Sequence, residues 1–260
     1  MATQQDFSVE LEGTAVRGRL DLPEPKPEQR PFPTVLICHG LPGLTPEASQ
    51  LHGQLTDALV EAGLAVASIA EGFSGSPGTR LAVESVDDAA AVFHGLAVRE
   101  DLDLDHIGVL GFSLGAIVVA CLARRTDQID RVCLLAPVSA EHVATRLAVE
   151  SAADVAARLG GSTVPPGFFD GLEALMPATD LAAYDRPTLI MQGAADRAVP
   201  PASSTEYRDA ILAAGHEVQH VLVAMGDRDF SNETARAACL DRISRFFAAA
   251  TETKSTASRS

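Results

Sequence analysis

Residues 34–38 (TVLIC) form an uninterrupted apolar run with none of the alternation of a half-wet strand. Such a run marks a strand buried on both faces, the condition of a parallel sheet held between two helix layers. Further β-like runs fall at 64–69, 106–111 (HIGVLG), 131–136, 187–191 (PTLIM) and 217–223. Segments of helical character separate most of them, at 46–62, 83–98, 114–125 and 203–214, and a last helix at 233–249 closes the chain. The first carries Leu51, Leu55, Ala58, Leu59 and Ala62 at helical spacing and stops at Gly63. Upstream, 7–11 and 15–22 read as a β-hairpin turning near Glu12-Gly13, followed by a Pro- and charge-rich connector over 23–33. The alternation predicts an α/β fold with a mostly parallel, doubly wound sheet and an antiparallel start.

Composition narrows the function classes. The chain has 260 residues, 47% apolar and 21% charged, which excludes disordered, collagenous and coiled-coil architectures and leaves one large domain or two small ones. No apolar stretch approaches the roughly 18–20 residues that span a bilayer. Twenty basic residues against 35 acidic ones give a net charge of −15, the wrong sign for a phosphate backbone or an anionic membrane surface. Neither nucleic acid nor membrane is therefore an expected partner, and the charge leaves the oligomeric state open. Cys38, Cys121, Cys133 and Cys239 lie far apart with no CxxC pair, so neither a metal nor dithiol redox chemistry is expected. No organic cofactor is expected either. The first ten residues are polar and acidic, without a basic n-region or apolar h-region, and the expected location is the cytoplasm.

One segment breaks the rhythm. Fifty residues separate Ala136 from Pro187, far more than a crossover needs. Residues 141–159 read as a helix, 160–167 as a Gly/Pro break and 168–176 as a second short helix. This is either a decorated crossover or a small helical cap over the mouth of the site. The expected organisation is a core over 1–138 and 186–250, a cap over 139–185, and a polar, Ser/Thr-rich, disordered tail over 251–260. Phe168 and Phe169, between Gly167 and Gly171, are candidate substrate-binding aromatics, with ordinary core packing as the alternative.

The chemistry is concentrated at strand ends. Gly111-Phe112-Ser113-Leu114-Gly115 fits G-x-S-x-G directly after an apolar strand and before an apolar helix. In that context the glycines allow a tight turn that lifts the serine hydroxyl above the sheet, and the helix N-terminus behind it offers unpaired N–H groups to a developing anion. His39-Gly40-Leu41-Pro42-Gly43 follows TVLIC, where the Leu41 amide can join that of Leu114 as an oxyanion donor. Asp196, in Gln192-Gly193-Ala194-Ala195-Asp196, follows PTLIM and so falls on the same sheet edge.

Together these motifs resemble the α/β-hydrolase family, in particular its esterase and acyl-peptidase branch, which includes feruloyl and cinnamoyl esterases. The resemblance runs from about residue 7 to 247 and includes the GFSGSPG stretch at 72–78. It implies an eight-stranded, mostly parallel sheet with a cap at 139–185. It further implies Ser113 as nucleophile, Asp196 as triad acid, and Leu41 and Leu114 as oxyanion donors, acting on a small-molecule acyl ester with an apolar body.

The family's triad histidine, in G-x-x-H-x-F after the last strand, is absent. Here the segment is Gly226-Asp227-Arg228-Asp229-Phe230, and no histidine follows His220. Three readings follow. Asp229 acts as base, facing Asp196 so that one of two like charges is held protonated at higher pH. Alternatively His39 or His142 serves as base. Or the chain does not hydrolyse: it eliminates a carboxylate from an acylated intermediate as a lyase, or binds a ligand without chemistry.

Overall fold

The computed structural model describes residues 3–11, 13–24, 31–39, 46–69, 82–159, 164 and 167–257. Eight strands, β1 (Thr3–Leu11), β2 (Thr14–Leu22), β3 (Phe32–Cys38), β4 (Ala65–Ile69), β5 (Leu102–Phe112), β6 (Ile129–Leu135), β7 (Thr188–Gly193) and β8 (Gln219–Val223), form one sheet. Their order is β1-β2-β4-β3-β5-β6-β7-β8. β2 runs antiparallel to β1 and β4, and every other pair is parallel. The helices are α1 (Pro46–Glu61), α2 (Ser85–Leu96), α3 (Gly115–Arg125), α4 (Ala140–Leu147), α5 (Ala152–Arg158), α6 (Pro177–Ala182), α7 (Pro201–Ala213) and α8 (Glu233–Ala257). Among the described residues no helix is long and apolar enough to cross a membrane.

The two-sided burial read from the apolar runs has a direct counterpart. Along β3, Val35 and Ile37 enter the core shared with α1 and α8, whereas Leu36 and Cys38 enter the core on the α2, α3 and α7 side. β6 divides in the same way, Cys133 and Leu135 to one face and Val132 and Leu134 to the other. Successive side chains of a strand point to opposite faces, so an apolar residue at every position requires two cores.

Several boundaries differ from the sequence expectation. The hairpin begins at Thr3, because polar residues on the exposed edge strand β1 hide its alternation. The helix expected over 141–159 is two, since Ser151 accepts from the Asp154 amide and starts a new N-terminus. Residues 168–176 hold only a 3₁₀ turn at Leu172–Ala174, and α6 follows from Pro177 at a helix-opening position. α8 continues to Ala257, so most of the expected disordered tail is helical.

At the end of β5, a Cβ on Gly115 would lie 2.1 Å from the Cys38 carbonyl oxygen and 2.7 Å from that of His39. The start of α3 is thus pressed against the end of β3. Gly115→Ala should lower stability by about 2–3 kcal/mol through overpacking against backbone that has little room to retreat, read as a fall in the urea midpoint.

Candidate active site

The C-terminal edge of the parallel strands gathers the chain's strained backbone. Among the described residues, the non-glycine positions with left-handed φ are Ser113 (55°), Ala136 (45°), Met225 (60°) and Phe230 (49°). They follow β5, β6 and β8 on this edge. A φ of this sign costs an L-residue free energy and persists only where the surroundings enforce it.

Ser113 is the turn between β5 and α3. Its amide donates to the Leu135 carbonyl (2.9 Å), and its carbonyl accepts from Ala116 (3.1 Å) and Val138 (3.2 Å). Those bonds lock the elbow to the end of β6. Gly111 is compressed too, since a Cβ there would meet the Gly115 carbonyl oxygen at 2.5 Å. The Ser113 hydroxyl is buried and has no hydrogen-bond partner among the described residues. Leu114 occupies the N-cap position of α3 without a side-chain capping bond, and the Ala116 and Ile117 amides are taken by the Ser113 and Leu114 carbonyls. Leu41 and the 72–78 loop lie outside the described residues.

Asp196 is buried on the loop after β7. Its Oδ1 accepts from the Ala198 (2.9 Å) and Val199 (2.8 Å) amides, and its Oδ2 from Gln192 Nε2 (2.9 Å). Burial raises its pKa above the usual carboxylate value, against the opposing pull of those bonds and of the Arg228 charge. The next loop is brought against it: Ala195 donates to the Gly226 carbonyl (2.8 Å), and a Cβ on Gly193 would meet the same oxygen at 2.3 Å.

Asp229, one of the three readings for the missing base, is on that loop and is paired with its neighbour rather than free. Arg228 Nε donates to its Oδ1 (2.8 Å) and Nη2 to its Oδ2 (2.9 Å). The guanidinium is buried, stands 5.9 Å from the centre of the Phe112 ring, and also favours ionised Asp196. Sequence reasoning missed Arg228 and Gln192. Both left a signal, an arginine adjoining the anomalous aspartate and a polar residue ending an apolar strand.

The two candidate replacement bases diverge. The His39 ring packs against His52 on α1 (centroids 4.1 Å apart), and His52 Nε2 is 3.2 Å from Ser68 Oγ at the end of β4. His39 is thus engaged with α1 and, through His52, with the end of β4. His142, on the first turn of α4, lies beside the Ala198 backbone, in the loop that holds Asp196. Burial first, then the Arg146 charge, lowers its pKa. Phe168 and Phe169 are buried edge-to-face, 5.0 Å between centroids, in one apolar cluster with Leu114, Val138, Val143 and Val199.

Two expectations follow. Burial, aided by the charge of His52, depresses His39 to about 3, and burial depresses His52 to about 4. The unfolded chain takes up these protons near pH 6.5, so stability is full above that value. It falls with acidification by about 1.4 kcal/mol per pH unit for each histidine until its folded pKa is reached. Urea midpoints should decline below about pH 6.5, and His52→Gln should flatten the decline. Separately, Asp229→His should leave Arg228 buried and half-partnered, costing roughly 3 kcal/mol in urea unfolding. It should yield ester hydrolysis only when combined with Arg228→Leu.

A family profile for serine aminopeptidases (Hydrolase_4, S33) matches residues 29–169. No curated protein sequence matches the chain. Among solved structures, Est1E from Butyrivibrio proteoclasticus aligns with a TM-score of 0.75 at 18% identity, covering 93% of this chain and 96% of its own. The esterase domain of a Rhodothermus marinus protein gives 0.71 at 19%, covering 95% and 98%. Pyrococcus horikoshii acylaminoacyl peptidase gives 0.71 at 16%, covering 95% of this chain and 41% of its own. At these identities the structures speak for the shared fold, whereas the profile spans more than half of the sequence and includes the Ser113 elbow. The chain belongs to the serine aminopeptidase S33 family of α/β hydrolases.

Proposed function

We propose that the protein is a serine acyl hydrolase acting on a small ester with an apolar body. Ser113 is the nucleophile, and the Leu114 and Leu41 amides receive the oxyanion. The observation that carries this reading is the left-handed backbone at Ser113. Glycine would hold φ at +55° without strain, so a serine there serves its hydroxyl rather than the turn. The elbow supports attack of Oγ on an acyl carbon beside the N-terminus of α3, where each oxyanion donor is worth about 10²–10³ in rate.

The apolar cluster of Leu114, Val199, Phe168 and Phe169 beside the elbow supports an apolar substrate body. The likeness to the esterase domain of the Rhodothermus marinus protein supports an ester as the class. With Asp229 committed to Arg228, the usual loop supplies no imidazole, and turnover of simple esters is expected to be slow.

A fluorophosphonate probe tests this directly. The wild-type protein should be labelled at Ser113, located by peptide mass spectrometry, and Ser113→Ala should not. An unlabelled wild-type protein sinks the hydrolase reading. If it then released acetate from an acylated substrate it would be a lyase, and if it only bound that substrate, a binding relative.

A further inference from the structure

Accepting Ser113 as nucleophile leaves its base unassigned. Resting on that reading, we infer that His142, carried by the cap helix α4, is the general base for Ser113. The connection from β6 into α4 is fastened to the elbow by the Val138 amide, which donates to the Ser113 carbonyl at 3.2 Å. One residue on, Ser139 Oγ accepts from the His142 amide at 3.2 Å and fixes the backbone there. Leu114, Val143 and Val199, the residues following Ser113, His142 and Ala198, pack with Val138 in one buried cluster. Three independent segments, the elbow, the start of α4 and the loop of Asp196, thereby share one apolar cluster.

The contact with Ala198 supplies what a base needs for orientation. A ring N–H given to the Ala198 carbonyl leaves the other nitrogen with its lone pair. Asp196 holds the Ala198 and Val199 amides and so steadies that carbonyl, as a positioning residue one step removed from the imidazole. The lowered pKa of His142 keeps the ring neutral and able to accept a proton near pH 7.

The other histidines are engaged or remote. His106 Nδ1 contacts Asp103 (2.8 Å) and His220 Nε2 contacts Ser204 (3.0 Å), while His39 and His52 pack on each other. His94 and His216 lie near the C-terminal ends of α2 and α7, helices that return to the opposite edge of the sheet.

In the reaction, His142 takes the Ser113 hydroxyl proton as the Oγ–acyl bond forms. It gives that proton to the departing alkoxide as the ester C–O bond breaks. It then takes a proton from the water that attacks the acyl-enzyme and returns it to Ser113.

The test measures the rate of fluorophosphonate labelling in full-length wild type, His142→Ala, His142→Gln and Ser113→Ala, with and without added imidazole. A base role predicts that His142→Ala is slower by about 10²–10⁴-fold. His142→Gln should be equally slow, and free imidazole should restore part of the rate in the alanine variant. Ser113→Ala in the same imidazole gives the zero level. Near wild-type labelling of His142→Gln would reduce His142 to an anchor for the Ala198 loop and overturn the inference. Unchanged labelling of His142→Ala would overturn it too, with Ser113 standing as nucleophile. Absence of labelling in wild type would overturn both.

Discussion

The close approach of α3 to the end of β3 is the contact on which the rest of this edge depends. With only hydrogen between the Gly115 Cα and the Cys38 carbonyl, β5 can end in a turn tight enough to hold Ser113 at φ +55°. The same turn exchanges hydrogen bonds with Leu135 and Val138, so the end of β6 and the start of the β6–β7 insertion are placed by the elbow. Gly193 does the equivalent work further along, letting the loops after β7 and β8 touch. Two missing side chains therefore align four loops, and the sheet supplies the rigid base beneath them.

Much of this was legible in the sequence because it follows from local rules. An apolar residue at every position of β3 and β6 leaves no face for water, so the doubly covered sheet could be read directly. The Ser113 turn was legible for the same reason, since a glycine two residues to either side of a serine between strand and helix has a steric meaning. What escaped depends on pairings the chain makes across distance or against its own pattern. The Ser151 cap splits a continuous apolar period into α4 and α5. The contact of His142 with Ala198 joins residues more than fifty positions apart. The pairing of Asp229 with Arg228 depends on burial of the guanidinium, which leaves it few options other than an adjacent carboxylate and which no local pattern announces.

That pair changes the electrostatic character of the loop after β8. A histidine there would be a proton carrier with a pKa near neutrality. Arg228 is permanently charged, offers no lone pair, and occupies both Asp229 oxygens while stacking near Phe112. The loop has exchanged a titrating group for a fixed ion pair, and its remaining contribution is shape and a constant field on Asp196. The insertion between β6 and β7 is the element tied to both the elbow and the loop of Asp196.

The left-handed residues on this edge also have a thermodynamic meaning. Each costs on the order of 1–3 kcal/mol, and four of them together rival the 5–15 kcal/mol by which a folded domain exceeds its unfolded chain. The opposing free energy comes from the two buried layers on either side of the sheet, remote from the strained loops. The strain at Ser113 is therefore a debt carried by Leu36, Val132 and their neighbours. Small losses of packing deep in either layer would surface first as relaxation of this edge, with the rest of the sheet still folded.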